Sequence, residues 1–371
     1  MKRLPDPRPY FAEIEDPRRE TRNKLHKLED IVMIVLCAVL SDIKDWVGME
    51  DFAYEKEAWL RGFLELPGGI PSHDTLSDVL GRINRKAFAK AFAAWVRTAL
   101  PHLAGEQVAL DGKTLRGSRD GEAGAVHVMS AFATGARFVL AQEAVADKSN
   151  EITAIPELLN CLELAGAVVS IDAMGCQKNI ARQIVKQGAD YVLALKDNHP
   201  QLCQDVTLWL DSELDRDRLP VHVTVEKDHG RIETRRYALS ANLAWLDAMS
   251  QWTGLKALGV VESTREIKGK TSIERRYFLC SFADLQRFAQ TVRDHWRIEN
   301  SQHWVLDVQF GEDANRSRKD HSAANLAVIR RMALNLLRND PDPKRSLRRR
   351  KMRAAFSDEY RSGLLFGNAA T

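Results

Sequence analysis

The chain has 371 residues, of which 44% are hydrophobic and 28% are charged, and this composition predicts a globular protein of two or three domains. Its longest apolar run, residues 31–40, is too short to cross a bilayer as a helix, and residues 1–10 contain no apolar signal segment, so we expect a cytoplasmic protein. The five cysteines include no C-x-x-C pair, which argues against a disulfide framework and against a thiolate zinc site.

Residues 1–100 have a helical pattern. The apolar run at 31–40 predicts a buried helix, and Ser72 is a plausible N-cap for the first of two short helices joined by the turn INRK, residues 83–86. These two helices resemble a DNA-reading helix-turn-helix in outline, although any helical bundle offers the same pattern.

From about residue 105 the pattern changes to short β-type runs. Three such runs, separated by glycine-containing turns, are followed by alternating helices and strands in the order β-β-β-α-β-α-β-α. This order predicts an α/β fold, with a mixed sheet that has helices on its faces.

Residues 219–282 alternate apolar and polar side chains again and predict a β-rich insertion. Helices resume at about residue 285. A later helix is predicted from a single apolar stripe of four residues: Leu326, Ile329, Ala333 and Leu336.

The net charge of +3 conceals a basic C-terminal part. Residues 316–353 contain thirteen Lys and Arg against three Asp, and the stretch KRSLRRRKMR, residues 344–353, has seven cations in ten residues. Such a block indicates a polyanion partner. The alternative is a solvated tail, or a stretch that offsets the acidic remainder of the chain.

Two predicted strands carry an aspartate at the carboxyl end, Asp111 after residues 108–110 and Asp172 after residues 168–171. If the strands are neighbours, the two carboxylates lie side by side at the edge where α/β sheets bind ligands, and they repel unless a cation lies between them. Mg²⁺ or Mn²⁺ is the natural occupant, because such ions take oxygen ligands. Gly112 would then allow the backbone to approach the site closely. The alternative is an ordinary turn, since Asp-Gly is a common turn signal.

A third acid lies in the stretch HWRIENSQHW, residues 295–304. Helical spacing places five residues along one stripe that is expected to face the core: Val292, Trp296, Glu299, His303 and Leu306. A carboxylate on such a face must be paired or bind a metal. The alternatives for Glu299 are a salt bridge to Arg293 or Arg297, and a zinc site made by His295, Glu299 and His303.

Together these stretches resemble the DDE transposases of bacterial insertion sequences, the H-repeat-associated group in particular. The stretches are VALDGKTLRGS (108–118), SIDAMGCQKNIARQIVKQGADYVLALKDNHPQL (170–202) and HWRIENSQHWVLDVQFGEDANRSR (295–318). The resemblance covers about residues 8–340. It implies a ribonuclease-H-like catalytic core, whose catalytic and metal-binding acids are Asp111, Asp172 and Glu299.

The chain departs from related cut-and-paste transposases at a Tyr, Arg and Lys signature around the glutamate. The corresponding positions here are Val292, His295 and Leu306. The resemblance therefore does not extend to the hairpin chemistry or to the DNA-end contacts of those relatives.

The resemblance also implies a division of the chain into four parts. These are an N-terminal helical domain at 1–103 that could bind DNA, the ribonuclease-H-like core at 104–204 and 285–340, the β-rich insertion at 205–284, and a basic C-terminal tail at 341–371.

The implied activity is DNA transposition, with two Mg²⁺ or Mn²⁺ ions about 3.5–4 Å apart that are bridged by Asp111. Hydrolysis at the element end would precede strand transfer of the 3′-hydroxyl into target DNA. Two other classes are consistent with the residues: a catalytically silent DNA-binding regulator, such as a domesticated transposase, and a plain metal-dependent nuclease.

The expected partner is double-stranded DNA, both element ends and target, bound by a homodimer associated with the nucleoid. The residues expected to contact DNA are Lys113, Arg116, Lys196, Arg231, Arg235, His295, Arg297, Arg316, Arg318 and Arg349. If these side chains contact phosphates, binding weakens steeply with salt. The alternative is that they form solvated surface.

Overall fold

The computed structural model describes residues 3–21, 24–121, 124–145, 151–228, 230–342 and 344–367. Within these residues, nine strands form one mixed sheet with helices packed against it, so the fold is α/β as predicted. All five cysteines are free thiols. No helix in the described part of the chain is both long and apolar enough to cross a membrane.

The first hundred residues are helical, as the sequence predicts. Their helices are α1 (Arg8–Phe11), α2 (Leu28–Leu40), α3 (Trp46–Glu55), α4 (Glu57–Leu60), α5 (His73–Arg82) and α6 (Arg85–Ala99). The side chain of Ser72 accepts a hydrogen bond from the backbone N–H of Thr75, which confirms the predicted N-cap of α5. Every residue of the apolar run 31–40 is buried in α2.

The strands and helices of the central region follow the predicted order. They are β1 (Gln107–Thr114), β2 (His127–Ala133), β3 (Phe138–Val145), α7 (Glu151–Asn160), β4 (Val168–Ile171), α8 (Lys178–Lys186), β5 (Asp190–Leu195) and α9 (Pro200–Asp215). Strands β1, β2 and β3 are antiparallel neighbours, whereas β4 is parallel to both β1 and β5.

The predicted β-rich insertion forms four antiparallel strands. They are β6 (Val221–Asp228), β7 (Arg231–Ser240), β8 (Ala257–Ile267) and β9 (Lys270–Cys280). Strand β9 pairs with β5, so the sheet has the order β3-β2-β1-β4-β5-β9-β8-β7-β6. The insertion thus extends the sheet of the central region.

The remaining elements are helical. They are α10 (Leu285–His295), a π-helix (Ile298–His303), α11 (Trp304–Phe310), α12 (Ser322–Arg338), α13 (Leu347–Phe356) and α14 (Asp358–Phe366). The four residues of the predicted apolar stripe of α12 are buried. All the remaining residues from Ser322 to Leu337 are buried as well, because this helix lies inside the molecule with helices and strands around it.

The basic segment is not a free tail in the described residues. Arg350 and Arg361 are buried, and the buried Lys351 forms an ion pair with Asp42 at 2.6 Å. Arg330 and Arg331 of α12 are buried as well. The prediction that residues 341–371 form a basic tail is therefore wrong for 341–342 and 344–367, because these residues contain two helices that pack on the core; residues 343 and 368–371 lie outside the described residues.

One continuous hydrophobic cluster joins the N-terminal helices to the sheet. It includes Ile34 of α2, Phe92 of α6, Val139 of β3 and Ile329 of α12. The domain boundary expected at residue 103 stays a prediction, since packing is continuous across it.

Candidate active site

The site is built first by two neighbouring parallel strands. Leu110 of β1 is in register with Ile171 of β4, so the strands are neighbours, which is the condition for Asp111 and Asp172 to follow at the same edge of the sheet. Strand β4 stops there, whereas β1 continues to Thr114 along β2. The expectation that the strand ends at Asp111 is therefore wrong: Asp111 lies at the point where β1 loses its partner on one side.

Asp172 is held by its own backbone turn. It is the N-cap of a short 3₁₀ helix, Ala173–Gly175, and its side chain accepts a hydrogen bond from the N–H of Met174 at 3.2 Å. This cap fixes the carboxylate beside Asp111.

Glu299 comes from the π-helix that follows α10. The single helix predicted through residues 292–306 is interrupted at Trp296 and continues as a π-helix. The residues of the predicted stripe therefore do not all lie on the same side of the helix. Trp296 is 42% exposed and the Glu299 side chain 49% exposed, whereas His303 and Leu306 are buried. The expectation that the whole stripe faces the core is thus wrong, and the interruption brings Glu299 to the surface of a cavity.

The three acids line one cavity of about 280 Å³, together with Lys196 and His295. The structure therefore brings together the carboxylates that the sequence places far apart. Lys196 is exposed directly after the end of β5.

His303 joins two of the acids. Its Nδ1 lies 3.3 Å from Glu299 Oε2 and 3.4 Å from Asp111 Oδ2. Among the described residues, Asp111, Glu299 and His303 form a group whose potential ligand atoms lie within 4.8 Å of one another. Helical spacing places His303 near Glu299, but no sequence pattern connects it to Asp111, which is 192 residues away along the chain.

Both alternatives for Glu299 are wrong. Arg293 binds Glu226 at 2.8 Å and Arg297 binds Asp294 at 2.8 Å, so neither arginine pairs with Glu299. The zinc triad is not formed, because His295 is not in the group of potential ligand atoms that Glu299 and His303 form with Asp111, and its Nδ1 shares a hydrogen bond with Ser170 Oγ at 2.9 Å.

The electrostatics of the cavity favour a cation. Burial and the negative charge of the neighbouring Glu299 raise the pKa of Asp111 well above its usual value. The hydrogen bond with His303 lowers the pKa of Glu299 to about 2. The carboxylates of Asp111 and Glu299 therefore repel each other. A divalent ion with oxygen ligands would relieve this repulsion, so the residues present fit such an ion.

Lys113 does not occupy the exposed position that was expected for a DNA contact. Its side chain is only 8% exposed, and its ammonium group pairs with Asp307 and, at 2.7 Å, with Asp313. Acids of α11 and of the segment that follows it therefore cover the ammonium group and neutralise its charge.

The other predicted DNA contacts are spread over the surface. Arg116, Arg316, Arg318 and Arg349 are exposed. Arg235 pairs with Glu226 and Glu233, and the exposed Arg231 lies 3.5 Å from Glu233. His295 and Lys196 are the two members of this set that line the cavity of the acids. The DNA contacts of all of these residues stay predictions.

A buried ion-pair network lies next to the site. Arg331 of α12 donates from Nη1 to Glu312 Oε1 at 2.8 Å, and both side chains are fully buried. Lys113 of β1 lies 3.8 Å from Glu312 Oε2. The network therefore links the strand that carries Asp111 to the segment that follows the π-helix. Sequence patterns do not reveal it, because its members are distant along the chain.

Gly112 makes room for a second buried pair. His127 Nε2 lies 2.7 Å from Glu151 Oε1, and His127 Nδ1 lies 3.0 Å from Thr114 Oγ1. A Cβ atom on Gly112 would lie 2.3 Å from His127 Nε2 and 2.6 Å from Glu151 Oε1. The glycine is thus required by this pair, one residue after Asp111.

We expect Gly112→Ala to reduce the free energy of unfolding by about 1–3 kcal/mol, because the new methyl group overlaps the buried pair. Denaturant unfolding measures the loss. Gly62→Ala is the control, since a Cβ there meets only Trp59 O, at 3.1 Å. Equal stability of the Gly112 variant and the wild-type protein would contradict the argument.

Comparison with known proteins gives a consistent result. A family model described as "Transposase DDE domain" matches residues 103–336, and a model described as "DDE_Tnp_1-associated" matches residues 8–96. The chain is 40% identical to a putative transposase, YncI, of Escherichia coli O157:H7, over 95% of this chain and 92% of that one. It is 38% identical to the H repeat-associated putative transposase YhhI of Escherichia coli K12, over 94% of this chain and 95% of that one. Among solved structures, it has a TM-score of 0.44 and 10% identity to a piggyBac transposase synaptic complex with hairpin DNA, covering 96% of this chain and 76% of that chain.

Proposed function

The chain belongs to the DDE transposase family, and on that premise we propose that Asp111, Asp172 and Glu299 are its catalytic acids. The observation that carries the proposal is the cavity that all three line, with Asp111 and Asp172 on adjacent parallel strands. An insertion-sequence transposase needs such a site to cut DNA at the ends of its element and to join those ends to target DNA.

The topology supports a ribonuclease-H-like core. The partial order β3-β2-β1-β4-β5, with three antiparallel strands followed by two parallel ones, agrees with the fold that the resemblance implies. In this proposal the core comprises residues 104–204 and 285–340, and strands β6–β9 belong to the insertion.

Asp111, Asp172 and Glu299 would hold two divalent metal ions, either Mg²⁺ or Mn²⁺. When bound, such ions activate the attacking oxygen and stabilise the leaving oxygen of an in-line displacement. The chain itself supplies fixed carboxylates: Asp172 is held by its cap on Met174, and Glu299 is held by His303. Both groups are therefore in place before DNA arrives.

The reaction has two steps at phosphorus. In the first, a water oxygen bonds to the phosphorus at the element boundary, the bond to the 3′ oxygen breaks, and a 3′-hydroxyl leaves. In the second, that 3′ oxygen bonds to a phosphorus of target DNA and displaces another 3′ oxygen. Lys196, exposed at the rim of the cavity, would bind the negatively charged phosphate during both steps.

Element ends and target DNA are the proposed substrates, bound by a homodimer. The exposed cations Arg116, Arg316, Arg318 and Arg349 would contact phosphates. Among these four residues, Arg116 has the most suitable position for a phosphate contact, because it follows β1 closely and its side chain is 84% exposed.

The experiment uses the purified full chain and a labelled duplex that contains the DNA bordering its gene. We expect nicks at the element boundary in the presence of Mg²⁺ or Mn²⁺, no nicks in EDTA, and none in a matched duplex with a scrambled boundary. A second, unlabelled duplex serves as target, and we expect joined products. Binding should weaken steeply as salt is raised.

Two results would contradict the proposal. Salt-dependent binding without cleavage would assign the chain to DNA-binding regulators that have lost catalysis. Cleavage of the boundary duplex and of the scrambled duplex, without joined products, would assign the chain to plain metal-dependent nucleases.

A further inference from the structure

His303 is placed like a ligand. Its Nδ1 lies 3.3 Å from Glu299 Oε2 and 3.4 Å from Asp111 Oδ2, and its side chain is buried. Neighbouring ligands of an octahedral ion with bonds of about 2.1 Å are separated by about 3.0 Å. The two distances from His303 Nδ1 therefore exceed this spacing by only a few tenths of an ångström, and ligand atoms of all three side chains lie within 4.8 Å of one another.

The backbone fixes this arrangement. Glu299 and His303 are four residues apart in the π-helix Ile298–His303, so their side chains lie on the same side of it. Asp111 faces them from β1, which contacts the π-helix. Two rigid elements thus present two carboxylate oxygens and one imidazole nitrogen to one point, which is the kind of support that a metal site requires.

Asp172 is not part of this group. The atoms within 4.8 Å of one another belong to Asp111, Glu299 and His303, and one oxygen of Asp172 accepts the N–H of Met174. An ion held by Asp111 and Glu299 would therefore find its third protein ligand in His303.

We propose that His303 Nδ1 is a metal ligand, and that it forms with Asp111 and Glu299 a site of two carboxylates and one imidazole that binds Mn²⁺ in preference to Mg²⁺. The inference rests on the proposed function for the identity of the two acids. Imidazole suits transition metals, whereas Mg²⁺ takes oxygen ligands almost exclusively. The neutral ring would bind through its Nδ1 lone pair, and its proton would reside on Nε2.

Electron paramagnetic resonance of Mn²⁺ bound to the full chain tests this without any DNA. We expect pulsed spectra of the wild-type protein to contain the ¹⁴N coupling of a directly bound imidazole. His303→Asp replaces the nitrogen by an oxygen ligand, so Mn²⁺ should stay bound while the coupling disappears. His295→Asn is the matched control: it removes the histidine that lines the cavity of the three acids and should leave the coupling unchanged.

A second measurement gives the selectivity. Calorimetric titration with Mn²⁺ and with Mg²⁺ should show that His303→Asp lowers the ratio of Mn²⁺ to Mg²⁺ affinity by about tenfold or more, because even residues that only orient a metal ligand affect affinity 10–100-fold. A role of His303 as a hydrogen-bond donor to the two carboxylates would not change this ratio.

The inference is overturned if wild-type protein binds no Mn²⁺, if bound Mn²⁺ shows no ¹⁴N coupling, or if the coupling persists in His303→Asp. These outcomes are separate from those for the proposed function. Mn²⁺ bound by His303 in a protein that cuts no DNA would uphold the ligand and refute the transposase chemistry, and boundary cleavage without the coupling would do the reverse.

Discussion

On the proposed function, we expect Asp111→Asn and Asp172→Asn each to lower the rate of cleavage at the element boundary by at least about 10³-fold, while DNA binding is kept. An amide is almost the same size as a carboxylate but carries no charge, so it cannot compensate a divalent ion or hold it firmly. Metal-assisted displacement contributes several kcal/mol to catalysis, and each 1.36 kcal/mol corresponds to tenfold in rate. The measurement is single-turnover cleavage of the labelled boundary duplex, with binding followed separately by fluorescence anisotropy.

Asp217→Asn is the matched control for this pair. The Asp217 side chain is 87% exposed and lies in the connection between α9 and β6, so its replacement should leave the cleavage rate unchanged. Rates within tenfold of wild type for either Asp111→Asn or Asp172→Asn would remove that residue from the catalytic set. Loss of DNA binding together with cleavage would point to misfolding instead, and far-ultraviolet circular dichroism would reveal it.

Glu312→Ala destabilises the protein by about 3–5 kcal/mol, the range for removing one partner of a buried ion pair. The substitution leaves the guanidinium of Arg331 fully buried without its carboxylate, and it removes a negative charge 3.8 Å from the Lys113 ammonium group. Denaturant unfolding at neutral pH gives the free energy directly. The ion pair is buried, so raising the salt concentration should change this loss very little.

Two further variants serve as comparisons for Glu312→Ala. Glu57→Ala removes one partner of the exposed pair with Arg61, and it should cost at most about 1 kcal/mol. The double variant Glu312→Leu/Arg331→Met replaces the buried pair by apolar side chains and should recover much of the stability lost in Glu312→Ala. If Glu312→Ala and Glu57→Ala cost the same, the buried network contributes nothing particular to the fold.

Much of the fold was accessible from the sequence because local patterns determine it. The alternation of β-type runs and amphipathic helices gave the correct order from β1 to α9. The apolar residues that precede Asp111 and Asp172 correctly indicated two strands, whereas their pairing as neighbours is shown only by the structure. Hydrophobic periodicity contains this information within short windows, so no long-range contact is needed to obtain it.

The rest depends on contacts between distant residues or on departures from regular geometry. A uniform helical period placed Trp296 and Glu299 on a buried face, and the interruption followed by a π-helix could not be anticipated from side-chain spacing. The proximity of His303 to Asp111 requires the π-helix to pack on β1.

Charge counts were the least reliable guide. The cations of the C-terminal segment predict a tail that meets DNA, yet Arg331 binds Glu312 and Lys351 binds Asp42 inside the protein. A count of charges does not distinguish a solvated cation from a buried one with a partner. In this chain the difference is made by acids that lie tens to hundreds of residues away from their cations.

The pairing of β9 with β5 determines the order in which the three acids can be positioned while the chain is synthesised. Asp111 and Asp172 lie on strands that can form early during synthesis, whereas the chain reaches Glu299 only after it has passed through the four strands of the insertion and returned along β9. The polypeptide must therefore emerge from the ribosome beyond residue 303 before the third acid can be positioned. A nascent or prematurely terminated chain would carry two of the acids without the third, so the proposed active site is incomplete until most of the polypeptide has been made.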